Sequence, residues 1–415
     1  MKIRNIFLLF FFIITPSIDY GQSLDFFLQQ GLANSPLLKD YQNQANAASY
    51  DSLLIKSSQL PQVDLNSQIM IAPVYKHFGY DVNITNEGIY SGVVAVTQPF
   101  LNQKILSNKY ESISIQKRSL ANTSKISSND LKRVITNQYL TSYADLNDLK
   151  FNDEFLKLIL DEQEIIKQLV SHGIYKQTDY LSLLIEGQSV EIIIKQINGQ
   201  YKKDVSLLNQ ICGLDDTSGN NLSLPTFEKL ELPNLQQSPL FMQYKIDSLK
   251  ISNEKNAIEN KYRPNLKWFA DAGVNSGANL GISGIYQHFG YSAGISLSVP
   301  IYDGNQRKLE FEKLSISEDS RTHYKLFFKN QYTSQVQQLN NELSLSKDIT
   351  LKLKSQLATA EELLALSKTQ LNNGNIAITE FINALKNYNS INRDLNQSQV
   401  KMLMILNELN YLMQQ

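Results

Sequence analysis

The chain has 415 residues and an almost even balance of 39 basic and 40 acidic side chains, for a net charge of −1. A nucleic-acid partner requires a basic excess or a basic stripe, so this balance argues against nucleic-acid binding. The mean hydropathy of −0.27, together with the lack of a long apolar run beyond the N-terminus, excludes a helical membrane protein. An outer-membrane barrel remains compatible with these values, because its strands alternate apolar and polar residues.

The N-terminus has the layout of a secretory signal peptide. Lys2 and Arg4 precede an apolar run at 6–14, which is shorter than the roughly 20 residues that a membrane-spanning helix needs. We therefore expect export and removal of residues 1–21, with the cut near Gly21. A retained N-terminal anchor is the alternative interpretation.

The sequence carries no pattern typical of an enzyme. It has no nucleophile elbow, phosphate-binding loop or metal-ligand spacing, and its acidic residues are scattered along predicted helical faces. Neither catalysis nor a cofactor is predicted. The only cysteine, Cys212, can form no internal disulfide and lies far from the signal cut, so packing alone must stabilise the fold.

Two copies of one unit follow the signal. The pair Ser35-Pro36 recurs as Ser238-Pro239 at an offset of 203 residues, and Gly173 recurs as Gly374 at an offset of 201. A nearly constant offset over this distance indicates an internal repeat. The segment between the copies contains Gly, Asn and Pro, as is typical of a loop. We assign the first repeat to residues 22–212, the linker to 213–232 and the second repeat to 233–415.

Each repeat is predicted to contribute one β-hairpin. The segments 63–71 and 266–274 alternate apolar and polar residues, and so do the segments around Val94 and Ile295. Alternation with a period of two is typical of a strand with one apolar face. The predicted strands cover residues 61–74, 89–98, 264–275 and 290–299.

Long stretches without proline follow the hairpins. In the second stretch, apolar or small residues recur with 3-4 spacing from Val336 to Leu371, which is the pattern of a coiled-coil seam. The first stretch keeps the same register but is interrupted by Asp145 and Gln163. We predict long helices at about 100–170 and 301–371, and shorter helices at about 24–58, 180–212, 235–262 and 381–413.

Four prolines mark the predicted strand–helix junctions. Pro61 and Pro264 each follow a helix and open a strand, where the missing N–H costs least. Pro99 and Pro300 lie where a strand passes into a long helix, and proline is well tolerated at the first helical position.

Four strands with one apolar face cannot close a barrel by themselves. An open sheet edge in lipid would leave backbone groups unsatisfied, at a cost of roughly several kcal/mol each. The smallest single-chain barrels have about eight strands. The strands are therefore expected to pair with those of other copies of the chain.

This arrangement resembles the TolC-type outer-membrane efflux protein family over essentially the whole mature chain. The most specific matches are the run VPIYDGNQR from Val299 to Arg307, at a strand–helix junction, and the run QLNNGNIAITEF from Gln370 to Phe381, at the turn after the second long helix. The resemblance implies a mainly helical fold with a small membrane β-barrel part.

For the assembled protein, the resemblance implies a homotrimer with a 12-stranded barrel in the bacterial outer membrane and a 12-helix tunnel in the periplasm. The tunnel is then expected to dock on a periplasmic adaptor (membrane fusion) protein and an inner-membrane transporter. The chain would serve as the exit duct of a tripartite efflux or type I secretion system, moving small molecules or proteins to the exterior.

The turns that follow the two long helices are the candidate functional positions. Their glycines can adopt the left-handed conformation that ends a helix, their threonines can cap the next helix, and their acidic residues would then occupy its first position. They are also the expected contact with the adaptor. The predicted residues are Gly173, Thr178 and Asp179 in the first turn and Gly374, Thr379 and Glu380 in the second.

Two readings of these acidic residues remain open. Asp179 and Glu380 can simply complement the dipole of the helix that they begin. In a trimer they can also form a ring of six carboxylates that narrows the periplasmic entrance and favours cations. Asn383 stands where the resemblance implies a further aspartate, which argues against a strong aspartate gate.

Aromatic residues concentrate near the predicted hairpin ends. The segments 75–80 and 286–291 share the pattern Tyr-x-His-Phe-Gly-Tyr at an offset of 211, outside the register of the repeat. Aromatic residues there are typical of the interfacial girdle of a barrel. A metal site formed by His77 and His288 is the alternative.

Proteins of two other classes compete with the channel. One is a periplasmic tether whose coiled coils hold two envelope layers apart without conducting, and the other is a soluble periplasmic adaptor. Neither class needs four strands that each have one apolar face, so the channel is the favoured prediction.

Overall fold

A computed structural model describes residues 23–414 except 74, 77, 82–87, 101, 216–221, 226, 228–234, 236–237 and 278–288. The predicted signal peptide and most of the predicted linker therefore lie outside the described residues. The order of elements is helix, hairpin, long helix and helix, and this order occurs twice. In chain order they are α1 Leu24–Asn34, α2 Pro36–Ser57, β1 Gln62–Ile71, β2 Gly88–Phe100, α3 Gln103–Ser171, α4 Gln177–Cys212, α5 Pro239–Lys261, β3 Asn265–Gly277, β4 Phe289–Ser298, α6 Gln306–Asn372 and α7 Ile378–Gln414.

The four strands form one antiparallel sheet in the order β1-β2-β3-β4. The two hairpins pair with each other through β2 and β3, whose register runs from Ile89 opposite Gly277 to Phe100 opposite Leu266. The described strands therefore leave β1 and β4 at the two edges of the sheet.

The chain divides into two compact units, and each contains segments of both repeats. The helical unit consists of α1, Asp130–Glu231 and Val336–Leu412. The sheet unit consists of Pro36–Asn129, Leu232–Gln335 and the last residues of the chain, and it holds all four strands. Within the described residues, no helix contains a stretch that is long and apolar enough to cross a membrane.

Proline opens helices at positions other than those predicted. Pro99 lies inside β2 opposite Lys267, and Pro300 precedes α6 by several residues, so neither occupies the first helical position. The first positions of α2 and α5 are instead held by Pro36 and Pro239, where a missing N–H removes no helical hydrogen bond. Pro36 also divides the predicted helix at 24–58 into α1 and α2.

The long helices begin at polar caps. The Asn102 side-chain oxygen accepts a hydrogen bond from the Lys104 N–H at 3.0 Å. At the equivalent place in the second repeat, Asp303 accepts from the N–H groups of Asn305 at 3.0 Å and Arg307 at 2.8 Å. The hydrogen bond from Arg307, with that from Asn305, holds the pKa of Asp303 below its ordinary value. Helix capping thus accounts for the aspartate in the run VPIYDGNQR.

The predicted seam of the second long helix is confirmed by burial. Its residues from Val336 to Leu371 are all buried or half-buried, whereas most positions between them are exposed. In the helical unit, Leu364 and Leu371 of this seam join a core that contains Phe155, Ile166 and Phe381. A second core in this unit surrounds Phe27 of α1, which packs against Tyr139. Side-chain packing of amphipathic helices therefore stabilises the unit.

Candidate functional site

The register of the sheet brings the apolar residues of all four strands to one face. Leu65 lies opposite Val94, Val94 opposite Ala272, and Ala272 opposite Tyr291. Residues directly opposite each other in antiparallel strands point to the same side of a sheet. This apolar face carries Val63, Leu65, Ile69, Ile71, Tyr90, Val94, Val96, Phe100, Leu266, Trp268, Ala270, Ala272, Val274, Phe289, Tyr291, Ala293, Ile295 and Leu297, with Ser67, Gln98 and Ser276 as its polar members.

The other side of the sheet, the polar face, holds all the charge of the strands. Asp64, Lys267 and Asp271 are the only charged residues within β1 to β4, and each lies on this face. Its uncharged polar residues are Gln62, Asn66, Gln68, Ser91, Thr97, Asn265, Asn275, Ser292, Ser296 and Ser298. A sheet with one charged side and one apolar side matches the wall of an outer-membrane barrel, which is apolar outside and polar inside.

In a single chain the apolar face is open to solvent. Leu65 is 76% exposed, Tyr291 is 88% exposed and Ile295 is 71% exposed. A contiguous apolar surface of this kind marks a contact with a membrane or with another protein. The edges of the sheet also need partners, because β1 and β4 each have only one hydrogen-bonded neighbour among the described strands.

Aromatic side chains lie near both ends of the apolar face. Trp268 lies near the end that leads into the helices, and its indole N–H donates to Gln98 at 2.9 Å. Tyr90, Phe289 and Tyr291 lie toward the opposite end. Tyr291, Phe289 and Tyr90 lie at the levels of residues 272, 274 and 276 of β3, which are four, six and eight residues from Trp268. At the rise of a strand these separations are roughly 13–27 Å along the strand, so the aromatic side chains flank an apolar stretch of the sheet.

The predicted aromatic segments are described only in part. Tyr75, Phe78 and Tyr80 are strongly exposed, and Tyr75 and Phe78 pair across a tight turn. His77 and the segment 286–288, which includes His288, lie outside the described residues, and so does the metal site that these two histidines would form. The described part of the chain contains no group of three or more His, Cys, Asp or Glu residues suited to a metal ion.

The turns at residues 172–176 and 373–377, here called the tip turns, have the same backbone hydrogen bonds. Gly173 and Gly374 adopt φ values of +77° and +74°, in the left-handed region. The Ile174 N–H donates to the Leu169 carbonyl at 3.0 Å, and the Asn375 N–H donates to the Gln370 carbonyl at 2.9 Å. Both turns therefore close their helix with a Schellman motif, which satisfies carbonyls that the helix leaves unpaired.

The predicted caps after these turns were wrong by two residues. Helix α4 begins at Gln177 and α7 at Ile378, so Thr178 and Thr379 lie inside the first turn and do not cap it. Asp179 and Glu380 consequently lie at the third helical position.

Asp179 acts from this third position. Its carboxylate accepts a hydrogen bond from the backbone N–H of Lys176 at 3.0 Å. This is the carboxylate half of a capping box. Asp179, and not Thr178, therefore caps this helix. Its side chain lies three residues after Lys176 and reaches back to the N–H of that residue.

A tyrosine joins the two tip turns. The Tyr175 hydroxyl lies 2.7 Å from the Leu371 carbonyl oxygen and 3.1 Å from the Ile376 carbonyl oxygen. Ile174 lies against Gly374, because a Cβ added to Gly374 would lie 3.4 Å from the Cγ2 atom of Ile174. The turns of the two repeats are therefore neighbours in the helical unit, a contact that the sequence did not predict.

Ion pairs join helices within the helical unit. The fully buried carboxylate of Glu162 forms an ion pair with Lys368, joining α3 to α6. Glu186 and Lys386 form a second pair at 3.0 Å, joining α4 to α7. Of the four histidines, His172 lies in the first tip turn with its Nδ1 atom 2.7 Å from the Gln168 carbonyl oxygen.

The two polar interruptions of the first seam have partners on α4. Gln163 donates to the Leu183 carbonyl at 3.1 Å, in space that Gly187 leaves free. Asp145 lies beside Asp204, which accepts hydrogen bonds from Gln138 at 3.2 Å and Gln200 at 2.6 Å. Burial, reinforced by Asp204, raises the pKa of Asp145 to about 7.

No protein-family model and no curated protein matches the sequence. The fold does match solved structures. The outer membrane protein VceC of Vibrio cholerae aligns with a TM-score of 0.73 and 11% identity over 94% of this chain and 95% of that chain. The CmeC outer membrane channel of Campylobacter jejuni aligns with a TM-score of 0.73 and 11% identity over 94% and 85% of the two chains.

A third match is the open state of the MtrE outer membrane channel of Neisseria gonorrhoeae, with a TM-score of 0.72 and 11% identity over 94% of this chain and 88% of that chain. At this identity the likeness concerns the fold. The chain therefore has the mainly helical fold, with a small antiparallel sheet, of the TolC-type outer-membrane channels.

Proposed function

We propose that three copies of this chain form a channel through the bacterial outer membrane, with the helical part in the periplasm. The observation that carries the proposal is the sheet, which has a continuous apolar face, all its charge on the opposite face, and partners missing at both edges among the described strands. Closing the sheets of several copies into one barrel would pair these edges and turn the apolar faces to lipid. The similarity to solved outer membrane channels supports the same arrangement.

Within an envelope assembly, the channel would serve as the exit duct of a tripartite efflux or type I secretion system. The tip turns are the proposed contact with a periplasmic adaptor, which would connect the duct to an inner-membrane transporter. Their backbone is held by the same hydrogen bonds in both repeats, so each copy would present two similar docking elements. Cargo would pass through the polar lumen without chemical change.

Planar-bilayer recording tests this function directly. Purified mature protein should form a detergent-stable oligomer that gives discrete conductance steps. Oligomers of verified stoichiometry that stay silent would instead favour the non-conducting tether. A water-soluble monomer that requires no detergent would contradict the barrel itself.

The proposed role of Asp179 and Glu380, the acidic residues just after the tip turns and here called the tip acids, is tested in the same recordings. Asp179→Ala combined with Glu380→Ala should lower the preference of the channel for cations, because six carboxylates would be removed from its periplasmic entrance. Thr178→Ala combined with Thr379→Ala is the matched control, since these neighbours carry no charge. Unchanged selectivity in the acid variant would leave Asp179 only its capping hydrogen bond and Glu380 only its interaction with the helix dipole.

A further inference from the structure

The polar face of the sheet carries its acidic residues in one row. Asp64 of β1 lies opposite Ala95 of β2, Ala95 lies opposite Asp271 of β3, and Asp271 lies opposite Ser292 of β4. The Ser292 hydroxyl donates to Asp271 at 2.7 Å, which places both side chains on this face. Two residues that are more than 200 positions apart in the sequence thus stand at the same level of the sheet.

The positive charge of this face lies at another level. Lys267 lies opposite Pro99 and Ser296, four residues before Asp271 on the same strand. At the rise of a strand this places it roughly 13 Å nearer to the helices. The strands therefore carry a net charge of −1 per chain, arranged as an acidic level and a basic level.

The distance between Asp64 and Asp271 determines whether the two carboxylates can bind one ion together. Asp64 and Asp271 are two strands apart, or roughly 10 Å, which is too far for both carboxylates to hold one ion. This separation is comparable with the Debye length of about 10 Å at 0.1 M salt, so their fields overlap. In a ring of copies joined edge to edge, every second strand would carry one aspartate.

We propose that Asp64 and Asp271 form a carboxylate level inside the barrel that makes the membrane part of the channel selective for cations. The inference rests on the proposed function, because it requires the polar face to line the lumen. It is separate from the tip acids, which belong to the helical unit. Cations would be concentrated at this level by the field of the carboxylates, without a fixed binding site.

The test is the reversal potential of single channels in a salt gradient kept at or below about 0.1 M. A unit charge about 10 Å away in water changes the local cation concentration up to roughly twofold. The double variant Asp64→Asn/Asp271→Asn should therefore lower the cation-to-anion permeability ratio about two- to fourfold. Lys267→Gln should raise that ratio, because it removes the positive charge from the same face.

Two further variants make the result decisive. Asp64→Glu/Asp271→Glu keeps the charge and should keep the selectivity of the wild type, which separates charge from disturbed folding. Asp179→Ala/Glu380→Ala alters only the first turns of α4 and α7 and leaves the charges of the sheet unchanged. A wild-type permeability ratio in Asp64→Asn/Asp271→Asn, in channels that still conduct, would overturn this inference and leave the proposed channel intact. Absence of conductance in the wild type would overturn both.

Discussion

Asp145 interrupts the apolar seam of α3 and lies in polar surroundings. One oxygen of Asp145 is buried without a hydrogen-bond donor among the described residues, and Asp204 lies beside it. Burial, followed by the effects of Asp204 and Asp148, raises the pKa of Asp145 to about 7. Protonation of Asp145 below about pH 7 would remove the repulsion between its carboxylate and that of Asp204.

This pKa predicts how stability depends on pH. Because the folded state keeps the Asp145 proton up to about pH 7, whereas the unfolded chain loses it near 3.8, the free energy of unfolding should fall as the pH rises between these values. Asp145→Asn should flatten that fall and raise the stability above pH 7 by on the order of 2 kcal/mol. Thermal unfolding followed by circular dichroism across this range measures it.

The control for Asp145→Asn is Asp161→Asn, an exposed carboxylate on the same helix. It should leave the slope of stability against pH unchanged. A slope in Asp145→Asn equal to that of the wild type would show that Asp145 ionises in the folded state as it does in the unfolded one.

A second prediction at the scale of one residue concerns the hydroxyl group of Tyr175. Tyr175→Phe removes the hydroxyl that reaches the Leu371 and Ile376 carbonyls but keeps the ring. Since a hydrogen bond of this kind contributes about 1 kcal/mol, the tip turns should open roughly five times more often. Amide hydrogen exchange at residues 172–176 and 373–377 reports this opening, and unchanged exchange there would contradict the role of the hydroxyl.

At the scale of elements, close strand contact at the centre of the sheet explains a glycine in β3. A Cβ on Gly273 would lie 2.2 Å from the carbonyl oxygen of Gly92 and 2.7 Å from the Cα of Val93. Backbone atoms cannot move aside as a flexible side chain can. The pairing of β2 with β3, which joins the hairpins of the two repeats, therefore depends on this glycine.

Gly273→Ala should consequently destabilise the sheet by roughly 2 kcal/mol or more through forced separation of β2 and β3. Gly290→Ala is the matched control, because Gly290 is the partner of Gly273 in β4 and a Cβ added there would meet no atom of the described residues within 4 Å. The yield of detergent-stable oligomer should fall in Gly273→Ala only. Equal yields would show that the strands can shift to accommodate a methyl group.

At the scale of the whole molecule, the free edges of the sheet predict how copies join. Within one chain, β1 and β4 are separated by two strands, or roughly 14 Å, which is beyond the limit of about 7 Å between the Cα atoms of a disulfide. Cysteines placed on both edges can therefore be bridged only between copies. In a closed ring each β1 would meet the β4 of a neighbour in antiparallel orientation.

We expect this crosslink in a Cys212→Ala background that carries Asn66→Cys or Gln68→Cys in β1 and Ser292→Cys or Ser296→Cys in β4. Oxidised samples should give a ladder that ends at three chains on a non-reducing gel. The single-cysteine variants are the controls and should stop at two chains or fewer. A ladder that ends elsewhere would correct the stoichiometry, and monomers from every pair would contradict edge-to-edge closure.

Local patterns in the sequence were sufficient to predict much of this fold. Alternation of apolar residues predicted the strands, 3-4 spacing predicted the buried seam of α6, and the glycines at 173 and 374 predicted left-handed helix ends. These features depend on residues that are close along the chain, and their physical causes act over a few residues. The assignment of two prolines and two threonines to helix starts was wrong. Strand β2 extends past Pro99 and α6 begins six residues after Pro300, whereas α4 and α7 each begin one residue before Thr178 and Thr379.

Only the tertiary structure decided which distant residues meet. The register between β2 and β3 set Asp64 and Asp271 in one row, and the approach of the repeats placed Tyr175 against the second tip turn and Asp145 beside Asp204. A period along one strand states which residues share its face but not which residue of another strand lies opposite. That choice is made by the packing of the whole chain, because a shift in register changes every cross-strand contact at once.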